Sequence, residues 1–193
     1  MPKIVEHDQY RRALLRRCFD VFAEHGYAKT TMRQLAEALE VSTGTLYHYF
    51  PSKQAIFEQL MEQMAQEDSA ALDAELAGMA TIEAKLEAAM AFFERTEEYG
   101  RKQLLLFVEY YRGFSPGELA QDAALNRIIR QYEQLFFDGI GVRDPVLFHL
   151  LWSVVDGWLT HRIYLPHAVS LRDLAAILGP MVAGYLRTYS GDL

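Results

Sequence analysis

The chain has 193 residues and only one cysteine, Cys18. A single thiol excludes an intrachain disulfide. Cys18 sits among apolar residues and reads as a small buried hydrophobe. Long uncharged hydrophobic runs are also missing. The most apolar stretch, Pro145 to Pro166, is interrupted by His149, Asp156, His161 and Arg162, whereas a membrane span needs about 20 apolar residues with few or no charges. Residues 1–8 are polar, which argues against a secretory leader. A cytoplasmic chain with no membrane partner is expected. There is no internal repeat, no low-complexity tract and no convincing strand alternation. Nucleophile elbow, phosphate loop and dinucleotide fingerprint are all absent. His149 and His161 would stand about 120° apart round a helix, and neither has neighbours at metal-ligand spacing. No enzyme activity, no metal and no cofactor are expected.

What is present is apolar and helical. Half the residues (51%) are hydrophobic, enough for a real core. The net charge of −7 argues against an anionic partner until its distribution is considered. Residues 1–53 hold eight Lys and Arg against six acids, leaving eleven against twenty for the remainder. A mildly basic head on an acidic body marks the head as the end that meets an anion.

Apolar residues recur at helical spacing throughout, and the punctuation is clear. A first helix from about Asp8 carries Leu15, Cys18, Phe19 and Phe22 inward, and Gly26 is placed to end it. A short second helix starts at Thr31 and a third at Ser42, which Pro51 stops. Ser52 caps a longer fourth helix reaching about Leu76. Ser115-Pro116-Gly117-Glu118 opens another with a capping box and a first-turn proline. Gly179-Pro180 is expected to bend or interrupt the last. The fold class is all-α with about nine helices, divided into a head over residues 1–52 and a body over 53–193.

Three helices in 50 residues, the last two short and joined by a tight turn, describe a helix-turn-helix, whose second member lies in the major groove. Residues 42–50 read Ser-Thr-Gly-Thr-Leu-Tyr-His-Tyr-Phe. Leu46 and Phe50 are four apart and hold the inner face. Thr43, Thr45, Tyr47, His48 and Tyr49 are left outward, and Gly44 lets the backbone approach a duplex closely.

The stretch from Tyr10 to Leu60 resembles the DNA-binding domain of the tetracycline-repressor (TetR) family. The resemblance rests on Phe22-Ala23-Glu24-His25-Gly26-Tyr27, Thr30-Thr31, Leu35-Ala36 and the run from Val41 to Lys53. It covers about a quarter of the chain. The remainder is similar only in length and helical character. The resemblance implies a homodimer, each head reading half of a palindromic DNA operator. The helical body would dimerise and bind a small apolar or amphipathic effector, which releases the DNA.

By position, the resemblance carries DNA contacts onto Thr31, Arg33, Thr43, Gly44, Thr45, Tyr47, His48 and Lys53. Arg33 suits guanine O6 and N7, and threonines suit a base edge or a thymine methyl. Tyr47 and Lys53 match phosphate contacts, and a helix N-terminus at Lys53 would add backbone N–H groups. Plainer readings stand beside these: a solvated Arg33, a buried Tyr47, a Thr31 that only caps. Glu40 occupies a turn position where the family often has glycine. Tyr49 stands where some members have histidine and carries no assigned contact. The groove-facing helix lacks Lys and Arg.

In the body, aromatic stripes are usually core, so Phe93, Phe107, Tyr110, Tyr111, Trp152 and Asp156 are held as pocket candidates against that plainer role. Asp156 either anchors a polar ligand group or pairs with Arg162 or with another arginine across the dimer. The last two helices are apolar on more than one face, and Trp158, His161, Leu174 and Met181 are the expected dimer-interface members. Two other readings remain open: a module that kept the fold without DNA binding, and a regulator controlled by a partner protein.

Overall fold

The computed structural model describes residues 2–165 and 169–189, with side chains from 7 to 165 and from 169 to 188. Ten helices and no strand occur among them: α1 Pro2–His25, α2 Met32–Ala38, α3 Thr43–Tyr49, α4 Lys53–Leu76, α5 Ile82–Arg95, α6 Glu97–Tyr111, α7 Pro116–Gln121, α8 Ala123–Ile140, α9 Pro145–Tyr164 and α10 Leu171–Tyr189. The fold is all-α, as expected. No helix among the described residues is long and apolar enough to cross a membrane.

Three details differ from the sequence reading. α1 begins at Pro2, not near Asp8. The helix opened by Ser115 is two helices, because Asp122 is extended (φ −66°, ψ 113°). Its carboxylate accepts from the Leu125 amide at 2.7 Å and so caps α8. α10 runs through Gly179-Pro180 without a break. Proline removes one backbone donor there, and packing of α10 along α5 outweighs that loss.

The chain forms two compact units, Met1–Glu67 with Leu105–Arg130, and Asp68–Leu104 with Gln131–Leu193. The expected boundary after Ser52 falls inside the first unit. In that unit Leu15, Cys18, Phe22, Leu35, Ala36, Leu46, Phe50, Ile56, Phe57 and Leu60 are all at most 3% exposed. Burial pushes the Cys18 thiol up to about 12, so it is an inert core residue. In the second unit Leu86, Met90, Leu147, Leu151, Trp158, Leu159 and Leu171 form one apolar cluster. Leu72, Leu76, Phe92 and Leu135 form another.

The connection between α1 and α2 is held by two opposite charges. Gly26 ends α1 in the left-handed region (φ 80°). The Glu109 carboxylate of α6 accepts from the amides of Tyr27 at 3.1 Å and Ala28 at 2.9 Å. Lys53, at the start of α4, donates to the carbonyls of Tyr27 at 2.7 Å, Thr30 at 2.8 Å and Ala28 at 3.4 Å. Its ammonium also lies 4.2 Å from the Tyr27 ring centroid. The buried Thr30 hydroxyl donates to the Gly26 carbonyl at 2.7 Å. A six-residue loop thus has two of its amides and three of its carbonyls met by charged side chains.

The turn between α2 and α3 carries the sharpest backbone constraint. Glu40 has φ 58°. Val41 N donates to Ala36 O at 3.0 Å and Glu40 N to Glu37 O at 3.1 Å. These are the paired bonds of a Schellman termination. A side chain in this conformation costs roughly 1 kcal/mol relative to glycine. Glu40→Gly is therefore expected to stabilise the protein by roughly 1 kcal/mol in a urea melt. Glu109→Ala strips two loop amides of their acceptor and is expected to cost about 1–3 kcal/mol in the same melt.

Candidate nucleic-acid interface and interior cavity

α2 and α3 have seven residues each, too few to be stable without help. Their ends supply much of it. Thr31 and Gln34 close a capping box on α2, with Gln34 N donating to Thr31 Oγ1 at 3.3 Å and Thr31 N to Gln34 Oε1 at 2.9 Å. Ser42 caps α3 by accepting from the Thr45 amide at 2.9 Å. Leu46 and Phe50 are both fully buried, so the orientation of α3 about its axis follows from the core.

That orientation leaves Thr43, Gly44, Tyr47 and His48 exposed, with Tyr47 at 52%. Thr31 and Arg33 of α2 are exposed as well. Thr45 is half-buried, its hydroxyl 2.7 Å from Ser42 Oγ. Tyr49 is half-buried beside Tyr10 and His7, with ring centroids at 5.4 and 4.5 Å. Gly44 is needed neither for a positive φ nor for close packing, since a Cβ there would meet only Ser42 Oγ at 3.7 Å.

Lys53, expected at a phosphate, has its ammonium turned onto three loop carbonyls. Burial pulls its pKa below the usual lysine value, opposed by the nearby Glu109 carboxylate. The free energy of that ammonium is spent on the loop.

The second unit contains a cavity of about 160 Å³. Leu72, Leu86, Met90, Phe93, Phe136 and Phe148 are among its many apolar wall residues. The polar side chains reaching it include Asp68, Gln103, Tyr132, Trp152 and Asp156. Trp152 Nε1 donates to Asp156 Oδ2 at 2.7 Å. Tyr132 Oη and Gln103 Nε2 donate to Asp68 Oδ2 at 3.0 and 3.2 Å. Burial raises the Asp156 pKa, and the Trp152 hydrogen bond opposes the rise. Burial, and then the Asp68 charge, pushes the Tyr132 phenol well up.

Of the expected pocket residues, Phe93, Trp152 and Asp156 line this cavity. Phe107, Tyr110 and Tyr111 do not and belong to the first unit. Tyr110 is 6% exposed and stacks on Phe57 at 4.1 Å. Tyr111, 7% exposed, lies 4.7 Å from the Phe107 ring. Tyr110 and Tyr111 are core, the plainer role of an aromatic at helical spacing, and Phe107 is half-buried against Tyr111. Within the chain Asp156 has Trp152 as its hydrogen-bond partner, and Arg162 pairs with Glu97. Asp68, Gln103 and Tyr132 escaped the sequence reading. Asp68 stands in the polar run Gln66-Glu67-Asp68-Ser69, where nothing separates an inward acid from a solvated one.

The expected interface residues also divide. Trp158 is 4% exposed, and its Nε1 donates to Val169 O at 2.8 Å, which makes it a core residue of its own unit. Leu174 packs half-buried against the same cluster. His161 is exposed, and Met181 is 62% exposed. Val146 (75%), Leu150 (52%) and Ile177 (62%) are further exposed apolar residues of α9 and α10. No group of three or more His, Cys, Asp and Glu among the described residues is placed to hold a metal ion.

Residues 14–60 match the family described as bacterial regulatory proteins, tetR family. Over 68 residues the chain is 41% identical to an HTH-type transcriptional repressor of Mycobacterium tuberculosis, a match covering 33% of this chain and 35% of that protein. The chain therefore spans about a third of the length of this curated relative. Likeness in fold extends further. The fatty acid degradation regulator FadR from Bacillus halodurans superposes with a TM-score of 0.69 at 18% identity, over 92% of this chain and 96% of that one. FadR from Bacillus subtilis, in complex with stearoyl-CoA, gives 0.65 at 16% identity, over 89% and 96%. At such identities the likeness is one of fold. The likeness to the tetR family of bacterial regulatory proteins is thus carried by the N-terminal segment, and the fold alone is shared over nearly the whole length with the solved regulators.

Proposed function

We propose that this protein is a sequence-specific transcriptional regulator, a repressor that binds a palindromic operator as a homodimer and is released by a small molecule. The observation that carries the reading is the outer face of α3, where Thr43, Gly44, Tyr47 and His48 are exposed while Leu46 and Phe50 are fully buried. Gly44 adds weight. Glycine in a helix costs roughly 1 kcal/mol relative to alanine, and neither backbone angle nor neighbours call for it here. A duplex approaching the bare backbone accounts for that cost.

Arg33 is assigned to a guanine edge, Thr43 and Thr45 to base edges or a thymine methyl, Tyr47 and His48 to the phosphate backbone, and Thr31 to a phosphate beside its capping role. Lys53 acts through the loop it braces. With no Lys or Arg on α3, few counterions are released on binding, and the salt dependence should be shallow.

The exposed pairs Val146 and Leu150 on α9, and Ile177 and Met181 on α10, are each four apart and so share a helix face. An apolar face of this kind suits a self-complementary two-fold interface. The cavity of the second unit is the proposed effector site. Release requires that the effector bind the DNA-free conformation more tightly than the DNA-bound one. The stearoyl-CoA bound by the Bacillus subtilis neighbour supports a ligand-responsive body.

Selection from random duplex DNA, followed by sequencing, tests the central claim. Wild type should enrich a palindrome, and Tyr47→Ala should bind the enriched site about tenfold or more weakly. A folded wild type that enriches nothing at low salt would replace this reading with a module that kept the fold without DNA binding. For the dimer, Ile177→Lys with Met181→Lys should convert the sedimentation mass from two chains to one; an unchanged mass would remove this face from the interface.

A further inference from the structure

The cavity in the second unit is acidic in a specific way. Two carboxylates, Asp68 and Asp156, are among its lining residues, and among the described residues no Lys, Arg or His lines it. An anion placed there would meet like charge in a poorly solvated space with nothing to offset it. Nearby arginines of the same unit are committed elsewhere. Arg162 pairs with Glu97 at 2.8 Å, Arg95 with Glu75 at 2.5 Å, and Arg172 lies 3.8 Å from Glu94.

The two carboxylates are not scattered. Tyr132 and Trp152 pack edge to face with centroids 4.6 Å apart. The hydroxyl of the first donates to Asp68 and the indole N–H of the second to Asp156. One aromatic pair therefore has a carboxylate at each end. Trp152 also lies 5.3 Å from Phe148, which stands 5.7 Å from Phe136. Ring faces attract a cation within about 6 Å of the centroid. The Trp152 bond uses Oδ2 of Asp156, leaving Oδ1 with no hydrogen-bond partner among the described residues. The volume, about 160 Å³, is of the order of an engineered apolar cavity of roughly 150 Å³ that takes up benzene.

We infer that this cavity selects an apolar organic cation, an amine or ammonium carrying about one ring, with Asp156 and Asp68 as its counter-charges and the Tyr132–Trp152 pair as its aromatic wall. The assignment rests on reading the cavity as the effector site. It also sets this chain apart from the acyl-CoA carried by the Bacillus subtilis neighbour, whose phosphates would find no cationic side chain on these walls.

Three probes with one apolar body separate charge from shape: 3-phenylpropylamine, 3-phenylpropan-1-ol and 3-phenylpropanoate. Each is titrated calorimetrically into the full chain and into Asp156→Asn and Asp68→Asn, with folding checked by circular dichroism. The amine should bind at least about tenfold more tightly than the carboxylate. Asp156→Asn should weaken the amine about tenfold while changing the alcohol by no more than about twofold. A carboxylate that binds as well as the amine overturns the charge assignment. So does an amine indifferent to both substitutions in folded variants. In either case, binding of the alcohol leaves the effector cavity itself standing. If none of the three binds wild type, the cavity reading falls and the cation assignment with it. The comparison of amine with carboxylate on wild type needs no variant to fold.

Discussion

The surface proposed to meet DNA depends on a loop of six residues held between two opposite charges. Glu109 meets the amides of Tyr27 and Ala28, and Lys53 meets carbonyls from the same stretch. The pairing matches chemistry to polarity: an anion accepts from N–H groups while a cation donates to C=O groups. Without it, the chain entering α2 would leave its polar backbone to water and lose its direction. α2 and α3 could not restore that direction themselves, since each is about two turns long. The cost is borne by Lys53, whose charged form is disfavoured by burial.

The second unit resolves a different tension. It is rich in aromatic rings, yet it keeps an unfilled space among them. Interiors normally pack to crystal density, and an apolar void forfeits contacts on every wall. Two acids reach that space, one of them with a pKa raised by burial. A core selected for stability alone would have closed the void and removed the acids. Their retention is the physical reason to read the cavity as a site, and the lack of a cationic side chain on its walls gives that site a sign.

Much of the helical layout was legible because its punctuation is chemical. Ser42, Thr31 and Ser115 accept from amides that helices leave orphaned, and Gly26 tolerates the left-handed angle that ends α1. The split at Asp122 was missed because an aspartate between two helical stripes looks like a polar position on one long helix. Pro180 misled in the opposite sense: local propensity predicts a break, and packing of α10 along α5 overrides it.

Residue types and spacing alone established that the chain is helical, that α3 turns Leu46 and Phe50 inward, and that Thr43, Tyr47 and His48 face outward. These follow from periodicity and capping, which act over a few residues. Destinations across long stretches of chain were not legible. Tyr110 and Trp152 are both aromatics on amphipathic helices, yet one stacks in a core and the other walls a cavity. Trp158 turns inward although its helix is apolar nearly all round. Lys53 is a basic residue just after α3, and loop carbonyls claim it. These outcomes depend on partners 11 to 53 positions away in sequence, which no local pattern encodes.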